Sequence, residues 1–447
     1  MQMPTIPDLT DRIAEIAHQH PLGWVNGIEK GLISIKDLEG RAALGDRVKL
    51  HLKTSRSVWG DVVRLRENCI EILPDGSCDG LSLGDSATLH PPLTLGPCAQ
   101  WIGRIIDSTG APLDGRSLVH GVPRALAAPP PAPAQRRGFG SRLRSGMTCF
   151  NTLLPIVRGQ RIGLFAGSGV GKSMLLAQFA RALEAEVIVL ALIGERGREL
   201  RDFVENTLGP DGMKRTVILA ETSDRPALAR RRCAAAAVTV AEYFRDQGKQ
   251  VLLLMDSVTR LAEAHREVAL STGETAGFHG FPPSTPHLIT ALCERTGTGV
   301  VGQGDITAVF SVLVAGSDME GPVADILRGV LDGHVVLDRE IAERGRYPAI
   351  DLLRSVSRAL TLAATEEENQ TIARARQLLG LYDSSAMMIR AGLYATGSDP
   401  ELDRAIAAWP ELDRFLAQEE SGDITDSFNR LRLILKRADR AVPQSAP

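Results

Sequence analysis

From residue 22 to 90 the chain alternates short apolar stretches with polar positions, broken at regular intervals by Gly27, Gly31, Gly40, Gly45, Gly60, Gly76, Gly80 and Gly84. Strand-sized runs separated by turn residues predict a small antiparallel β-barrel. Pro91 and Pro92 close that unit, and 127–134 reads AAPPPAPA, a composition that runs as polyproline and reads as a spacer. Beyond it, apolar runs of strand length (161–165, 187–193, 217–219, 251–255) alternate with helical periodicities (172–183, 198–207, 227–244). That order predicts a parallel sheet flanked by helices. From about residue 365 only helical periodicity remains, interrupted at Gly392, Gly397 and Pro400. The basic positions Arg430, Arg432, Lys436, Arg437 and Arg440 read there as a solvated helix face. At the other end, Leu9, Ile13 and Ile16 fall at near-helical spacing before Pro21, which suits either a partner-binding amphipathic helix or a frayed terminus. The expected units are therefore a segment at 1–21, a barrel at 22–92, an α/β domain at 93–364 and a helical domain at 365–447.

Composition narrows the classes open to such a chain. Its 447 residues exceed a single domain, and 44% apolar with 23% charged residues excludes a largely disordered chain. A formal net charge of −3 lacks the basic excess that drives non-specific nucleic-acid binding. Cys69, Cys78, Cys98, Cys149, Cys233 and Cys293 contain no C-x-x-C pair, so neither a zinc cage nor a disulfide framework is expected and a reducing cytosol fits. The first 20 residues lack the apolar core of a signal peptide, and no run reaches the length of a membrane span. The expectation is a soluble protein, attached to a membrane at most peripherally.

The chemistry concentrates between the first α/β strand and the helix after it, in Ala166, Gly167, Ser168, Gly169, Val170, Gly171, Lys172 and Ser173. Glycines let successive backbone N–H groups turn inward on phosphate oxygens, and the helix N-terminus adds partial positive charge. In such a loop Lys172 reaches the β/γ-phosphates of ATP and the Ser173 hydroxyl ligates Mg²⁺. Ala166 stands where the motif has its first glycine, a position that asks only for a small residue. A carboxylate to support the metal is expected at the end of a neighbouring buried strand, and Asp256 follows five apolar residues. Glu195 lies 23 residues after Lys172, one helix and one strand later. A carboxylate there both polarises water and accepts its proton. Taken alone each residue has a plainer reading, a strand-end cap for Asp256 and solvated surface for Glu195, and it is their order that favours catalysis.

GER at 194–196, AEYFRDQ at 241–247, LMDSVTR at 254–260 and ERGRYPAID at 343–351 followed by SVSR at 355–358 resemble the rotary ATPase catalytic subunits. Within that group FAGSGVGKS at 165–173 and ETSDRP at 221–226 are most similar to the type III export ATPases, and FNTLLPIVRGQ at 150–160 to their flagellar branch. The resemblance implies a RecA-like P-loop nucleotide domain between a β-barrel and a helical domain. It implies that Lys172 and Ser173 bind phosphate and Mg²⁺, that Asp256 supports the metal, and that Glu195 activates water. Arg196 would help position Glu195 and the γ-phosphate, with Arg260 as a weaker candidate behind it. Tyr347 would stack on adenine, and Arg358 would act as an arginine finger across a subunit boundary.

Glu195 and Arg358 occur on one sequence, so a ring of identical subunits suffices, and the resemblance implies a homohexamer. It further implies a dimeric negative regulator on the N-terminal segment, a coiled-coil stalk in the pore, chaperone–cargo complexes on the C-terminal domain and an export gate at the inner membrane of the flagellar base. The loop 273–286 departs from the family pattern with TAGFHG at 275–280, which leaves the pore contacts open. The nearest rival is a virulence injectisome ATPase of identical chemistry. An ATP synthase β subunit fits less well because its finger comes from a different chain. An RNA-translocating hexamer needs basic residues interleaved with aromatics, and 22–90 offers only Trp24 and Trp59. A scaffold that no longer hydrolyses would not need Glu195, Asp256 and Arg358 together.

Overall fold

The computed structural model describes residues 19–29, 31–314, 321–420 and 422–441, and of Phe278 the backbone. The amphipathic segment expected at 8–17 lies outside the described residues. Six strands, β1 (Leu22–Glu29), β2 (Leu32–Lys36), β3 (Arg47–His51), β4 (Ser57–Leu65), β5 (Ile70–Pro74) and β6 (Ser86–His90), close into a barrel in the order β1-β2-β5-β4-β3-β6. Period-two alternation drives it: Val58, Gly60 and Val62 of β4 are buried while the positions between them are partly open. Val25, Ile33, Ile35, Val48, Leu50, Ile70 and Ile72 fill the interior. Closure leaves no unpaired edge.

A short ribbon of β7 (Thr94–Leu95) and β9 (Arg124–Ala125) follows, and β8 (Ile105–Ile106) joins the central sheet between them in sequence. The Pro-rich stretch is irregular and ends in a 3-10 turn at Pro133–Gln135. It is tethered rather than free, since Arg136 donates to the Thr296 carbonyl at 2.8 Å and Arg137 pairs with Asp305 at 2.6 Å. The central sheet is completed by β10 (Arg161–Ala166), β11 (Val187–Glu195), β12 (Thr216–Thr222), β13 (Val251–Asp256), β14 (Gly297–Thr298), β15 (Asp305–Leu313), β16 (Gly333–Leu337) and β17 (Ile350–Ser357), in the order β17-β16-β10-β15-β13-β11-β12-β8. The strands from β16 to β8 run parallel, β17 is an antiparallel edge, and β14 pairs antiparallel with β15.

These strands are apolar on both faces because both faces are covered. Among the described residues the helices of eight or more residues are α1 (Lys172–Ala182), α2 (Ala227–Asp246), α3 (Val258–Ser271), α4 (Ser284–Glu294), α5 (Pro322–Val330), α6 (Glu366–Arg390), α7 (Pro400–Leu416) and α8 (Ile424–Ala441). On one face Val189, Ala191, Leu253, Met255 and Phe310 pack against α2, α3, α4 and α5. On the other, Leu164, Leu190, Leu192, Leu252 and Leu254 share one core with α1 and with Leu378, Leu412, Phe415, Phe428 and Leu431 of the C-terminal helices. Those helices are thus continuous with the sheet core. Ser427 bonded to Asn151 at 3.0 Å and Asp413 paired with Arg346 at 3.0 Å fix them further. The helical stretch expected at 198–207 is split into a turn of α-helix, Gly197–Asp202, and a wider π-helical turn, Phe203–Leu208.

The basic face of α8 is exposed at Arg430, Lys436, Arg437 and Arg440, as expected, and carries ion pairs to other segments. Of the basic positions on α8, Arg430 pairs with Glu420 at 3.3 Å, Arg432 with Glu367 at 3.2 Å and Arg437 with Glu411 at 3.0 Å. The barrel is joined to the α/β unit by buried charge, with Arg232 of α2 bridging Asp61 at 2.7 Å and Asp75 at 2.8 Å while Arg47 meets the same two carboxylates. Alternating guanidinium and carboxylate groups let both arginines be buried against the half-buried Asp61 and Asp75.

Candidate active site

The loop after β10 turns through Gly169 at φ 79° and Gly171 at φ 89°, left-handed values that a Cβ opposes. Gly171 caps α1, so the first free N–H groups of that helix open onto the loop. A Cβ on Gly171 would also lie 3.1 Å from the Tyr347 ring, so Tyr347 sits directly against the loop. Ser168, Gly169 and Ser173 are exposed, whereas Val170 is buried and anchors the loop. Loop and strand ends enclose a cleft of about 750 Å³ that also takes in Glu195, Arg196, Glu199, Arg230 and Arg260.

Two carboxylates enter from adjacent strands. Asp256 ends β13, and Leu192 of β11 is its partner in register, so Glu195 projects just beyond it. The register slips between Ile193 and Glu195 around Gly194, whose φ of 70° re-aims the strand end. Asp256 is buried, accepts a hydrogen bond from Ser311 Oγ at 2.7 Å and pairs with the Lys172 ammonium. Glu195 is held differently. Burial pushes its carboxyl up to about 7, the Asp256 charge and a hydrogen bond with Glu199 push the same way, and Lys172 opposes them. One carboxylate is therefore locked as a counter-ion and the other is poised to exchange a proton near neutrality.

The remaining predicted residues occupy distinct surroundings. Arg196 lines the cleft with an exposed guanidinium 3.5 Å from Glu199, its ion-pair partner. Arg260 pairs with Glu263 at 2.8 Å. Arg358 is far from the loop of its own chain. In register, Ala166 at the loop end of β10 faces Leu337 of β16, which faces Ile350 at the start of β17, whereas Ser357 at the other end of β17 faces Gly333. Arg358 follows Ser357, and because β17 bulges between Asp351 and Val356 the separation is measured on β16, where Gly333 lies four strand steps, about 13 Å, from Leu337 at the loop end of the sheet. Its guanidinium is exposed and donates to the Arg328 carbonyl at 3.2 Å.

Three contributors escaped sequence reasoning. Ser311 interrupts the apolar run of β15 after Thr307, and a buried hydroxyl in such a strand signals a polar partner. Glu199 and Arg230, the latter in a two-pronged contact with Glu267 at 2.9 and 3.0 Å, sit in charged helical stretches where no signal separates them from surface. Among the described residues no group of three or more His, Cys, Asp or Glu side chains could hold a metal ion by itself. The oxygen donors present, Ser173 and Asp256, suit a hard cation that brings most of its ligands with a phosphate substrate.

Residues 146–357 match the ATP synthase alpha/beta family, nucleotide-binding domain, and residues 364–432 match the T3SS EscN ATPase C-terminal domain. The chain is 42% identical over 437 residues to the flagellum-specific ATP synthase of Caulobacter vibrioides, covering 95% of this chain and 98% of that one. It is 47% identical over 363 residues to the flagellum-specific ATP synthase of Salmonella typhimurium, covering 80% of this chain and 78% of that one. Among solved structures it is similar to the assembled ATPase EscN in complex with its central stalk EscO from the enteropathogenic E. coli type III secretion system. There the TM-score is 0.84 at 36% identity, over 92% of this chain and 100% of that chain.

Proposed function

We propose that this chain, which belongs to the flagellum-specific ATP synthases of the ATP synthase alpha/beta family, performs its reaction with Lys172, Ser173, Glu195 and Asp256 of one copy and Arg358 of another. As a member of that family it is an ATPase serving flagellar type III protein export. The observation that carries the two-copy reading is the position of Arg358 at the opposite end of the sheet from the loop.

The backbone of Gly167, Ser168, Gly169, Val170 and Gly171 cradles the phosphates, and Tyr347 packs on adenine from beside the loop. Phosphate oxygens compete with Asp256 for the Lys172 ammonium, which moves that cation onto the β/γ-phosphates. Ser173 and Asp256 then offer oxygens to Mg²⁺, which neutralises charge on the phosphates when bound. Glu195 orients the attacking water and takes its proton, a role its raised affinity for protons equips it for. Arg196 steadies the Glu195 loop through Glu199. Arg358 from the neighbouring copy supplies positive charge to the γ-phosphate in the transition state.

The assembly that satisfies this geometry is a closed homohexameric ring in the cytoplasm, peripherally held at the inner membrane of the flagellar base. Hydrolysis loads and unfolds export substrates and releases their chaperones. The N-terminal segment takes a dimeric negative regulator, a coiled-coil stalk fills the pore, and chaperone–cargo complexes and the export gate complete the partners. Similarity to a stalk-bound relative supports the stalk, and the longer match to the flagellar relatives, 95% and 80% of this chain against 71% for the SPI-2 type 3 secretion system ATPase, supports this branch over an injectisome. RNA is not expected to stimulate turnover.

Mixing inactive Glu195→Gln with inactive Arg358→Ala protein tests the shared site. Rings that contain both then include interfaces with an intact Glu195 facing an intact Arg358, so partial activity returns. Mixed rings without any recovery would overturn the shared site.

A further inference from the structure

We propose that a pocket at the end of the sheet opposite the phosphate loop docks an acidic peptide segment of a protein partner. The pocket, about 480 Å³, lies where α1 ends and β11, β12 and β13 begin, and brings Arg144, Arg158, Arg181 and Arg215 together with only two carboxylates, Glu184 and Glu186. Neither carboxylate balances the excess, because Glu184 holds Arg158 at 2.6 Å and Glu186 holds Lys249 at 2.8 Å. Three guanidinium groups are left in one concavity without a counter-charge.

A structural role accounts for one of the three. Arg215 donates to the Ala180 carbonyl at 2.9 Å and the Ala185 carbonyl at 3.0 Å, closing the C-terminus of α1. These bonds satisfy its protons but not its charge, and burial lowers its pKa with no carboxylate acting on it. Arg181 donates only to the Thr207 carbonyl at 2.5 Å, and the Arg144 guanidinium has no hydrogen bond or ion pair among the described residues. The Nε of Arg158 is buried without a partner as well. Like charges gathered this way repel one another, and an external anion relieves the repulsion.

The pocket floor selects the kind of anion. The last carbonyls of α1 point there and disfavour a compact dianion seated deep. Carboxylates spaced along a peptide can instead meet the exposed Arg144 and Arg181 at the rim, each able to form a two-pronged contact. The site is separate from the nucleotide cleft, so peptide binding does not depend on the catalytic reading.

The test uses the full-length protein with its cleft saturated by MgADP and a fluorescein-labelled hexaglutamate peptide followed by anisotropy. Wild type is expected to bind at about 50 mM salt and to lose most of that affinity by about 200 mM, as exposed charges are screened. Arg144→Glu with Arg181→Glu is expected to weaken binding at least about tenfold while kcat/KM for ATP stays at the wild-type value. Arg144→Glu alone breaks no contact of the fold, and its expected loss of about threefold guards against misfolding of the double variant. Equal binding by wild type and variant, or no binding by wild type at low salt, overturns the site. Binding of inorganic pyrophosphate in place of the peptide overturns the choice of ligand.

Discussion

A Glu195 carboxyl that titrates near 7 gives the reaction a pH limb that an ordinary carboxylate would not. At about 7, roughly 9% of Glu195 is ionised at pH 6 and about 91% at pH 8, a tenfold change in the form able to accept a proton. With an unperturbed value near 4.5 the ionised share would already be about 97% at pH 6, and the profile would be flat. The assay is kcat/KM for MgATP between pH 5.5 and 8.5 at constant ionic strength and excess Mg²⁺. The expected profile rises about tenfold from pH 6 to 8. A limb belonging to the substrate would stay put when the protein changes, whereas replacing Glu199 by Gln removes one cause of the rise and should move the Glu195 limb to lower pH. A flat profile, or a limb unmoved by Glu199→Gln, refutes the reasoning.

The same shift makes a stability statement with a fixed sign. A carboxyl whose native value lies above its unfolded value favours the native state at low pH, and that advantage is lost as pH rises from about 4.5 through about 7. Full burial would make the shift worth about 3 kcal/mol. Glu195 opens onto a solvated cleft, so roughly half is realistic. Glu195→Gln should therefore abolish turnover yet stabilise the protein by about 1–2 kcal/mol at pH 8, with less effect toward pH 5, in parallel denaturation series.

Further outcomes follow from other positions. Arg358→Ala should lower kcat by about 10³ or more while nucleotide affinity, read with a fluorescent ATP analogue, stays within about threefold. Tyr347→Ala should raise KM for ATP about tenfold with little change in kcat, and Tyr347→Phe should keep the ring and hence KM. Arg295 and Glu242 form a buried pair at 2.6 Å, each 7% exposed, so Arg295→Ala strands a carboxylate and should cost about 3–5 kcal/mol by urea denaturation.

The phosphate loop, Asp256 and Glu195 could be read because each is tied to a local pattern: glycines before Lys-Ser, and a charge ending an apolar strand. Arg196, Tyr347 and Arg358 carry no such pattern and stood out only through the resemblance. Ser311 and Arg230 act through neighbours distant in sequence, Glu199 acts on Glu195 and Arg196 from a run of charges in which nothing marks it out, and Arg430, Arg432 and Arg437 find Glu420, Glu367 and Glu411 on other segments.

By itself, then, the sequence determined the succession of barrel, sheet and helices and the chemistry of the loop, because alternation, helical period and glycine placement are local properties of the chain. Only tertiary structure decided the rest. Strand order set Glu195 beside Asp256 and raised its carboxyl, and the antiparallel turn of β17 carried Arg358 to the end of β16 opposite the loop of its own chain. Proton affinity and reach depend on distances between segments, and those distances exist only once the sheet has assembled.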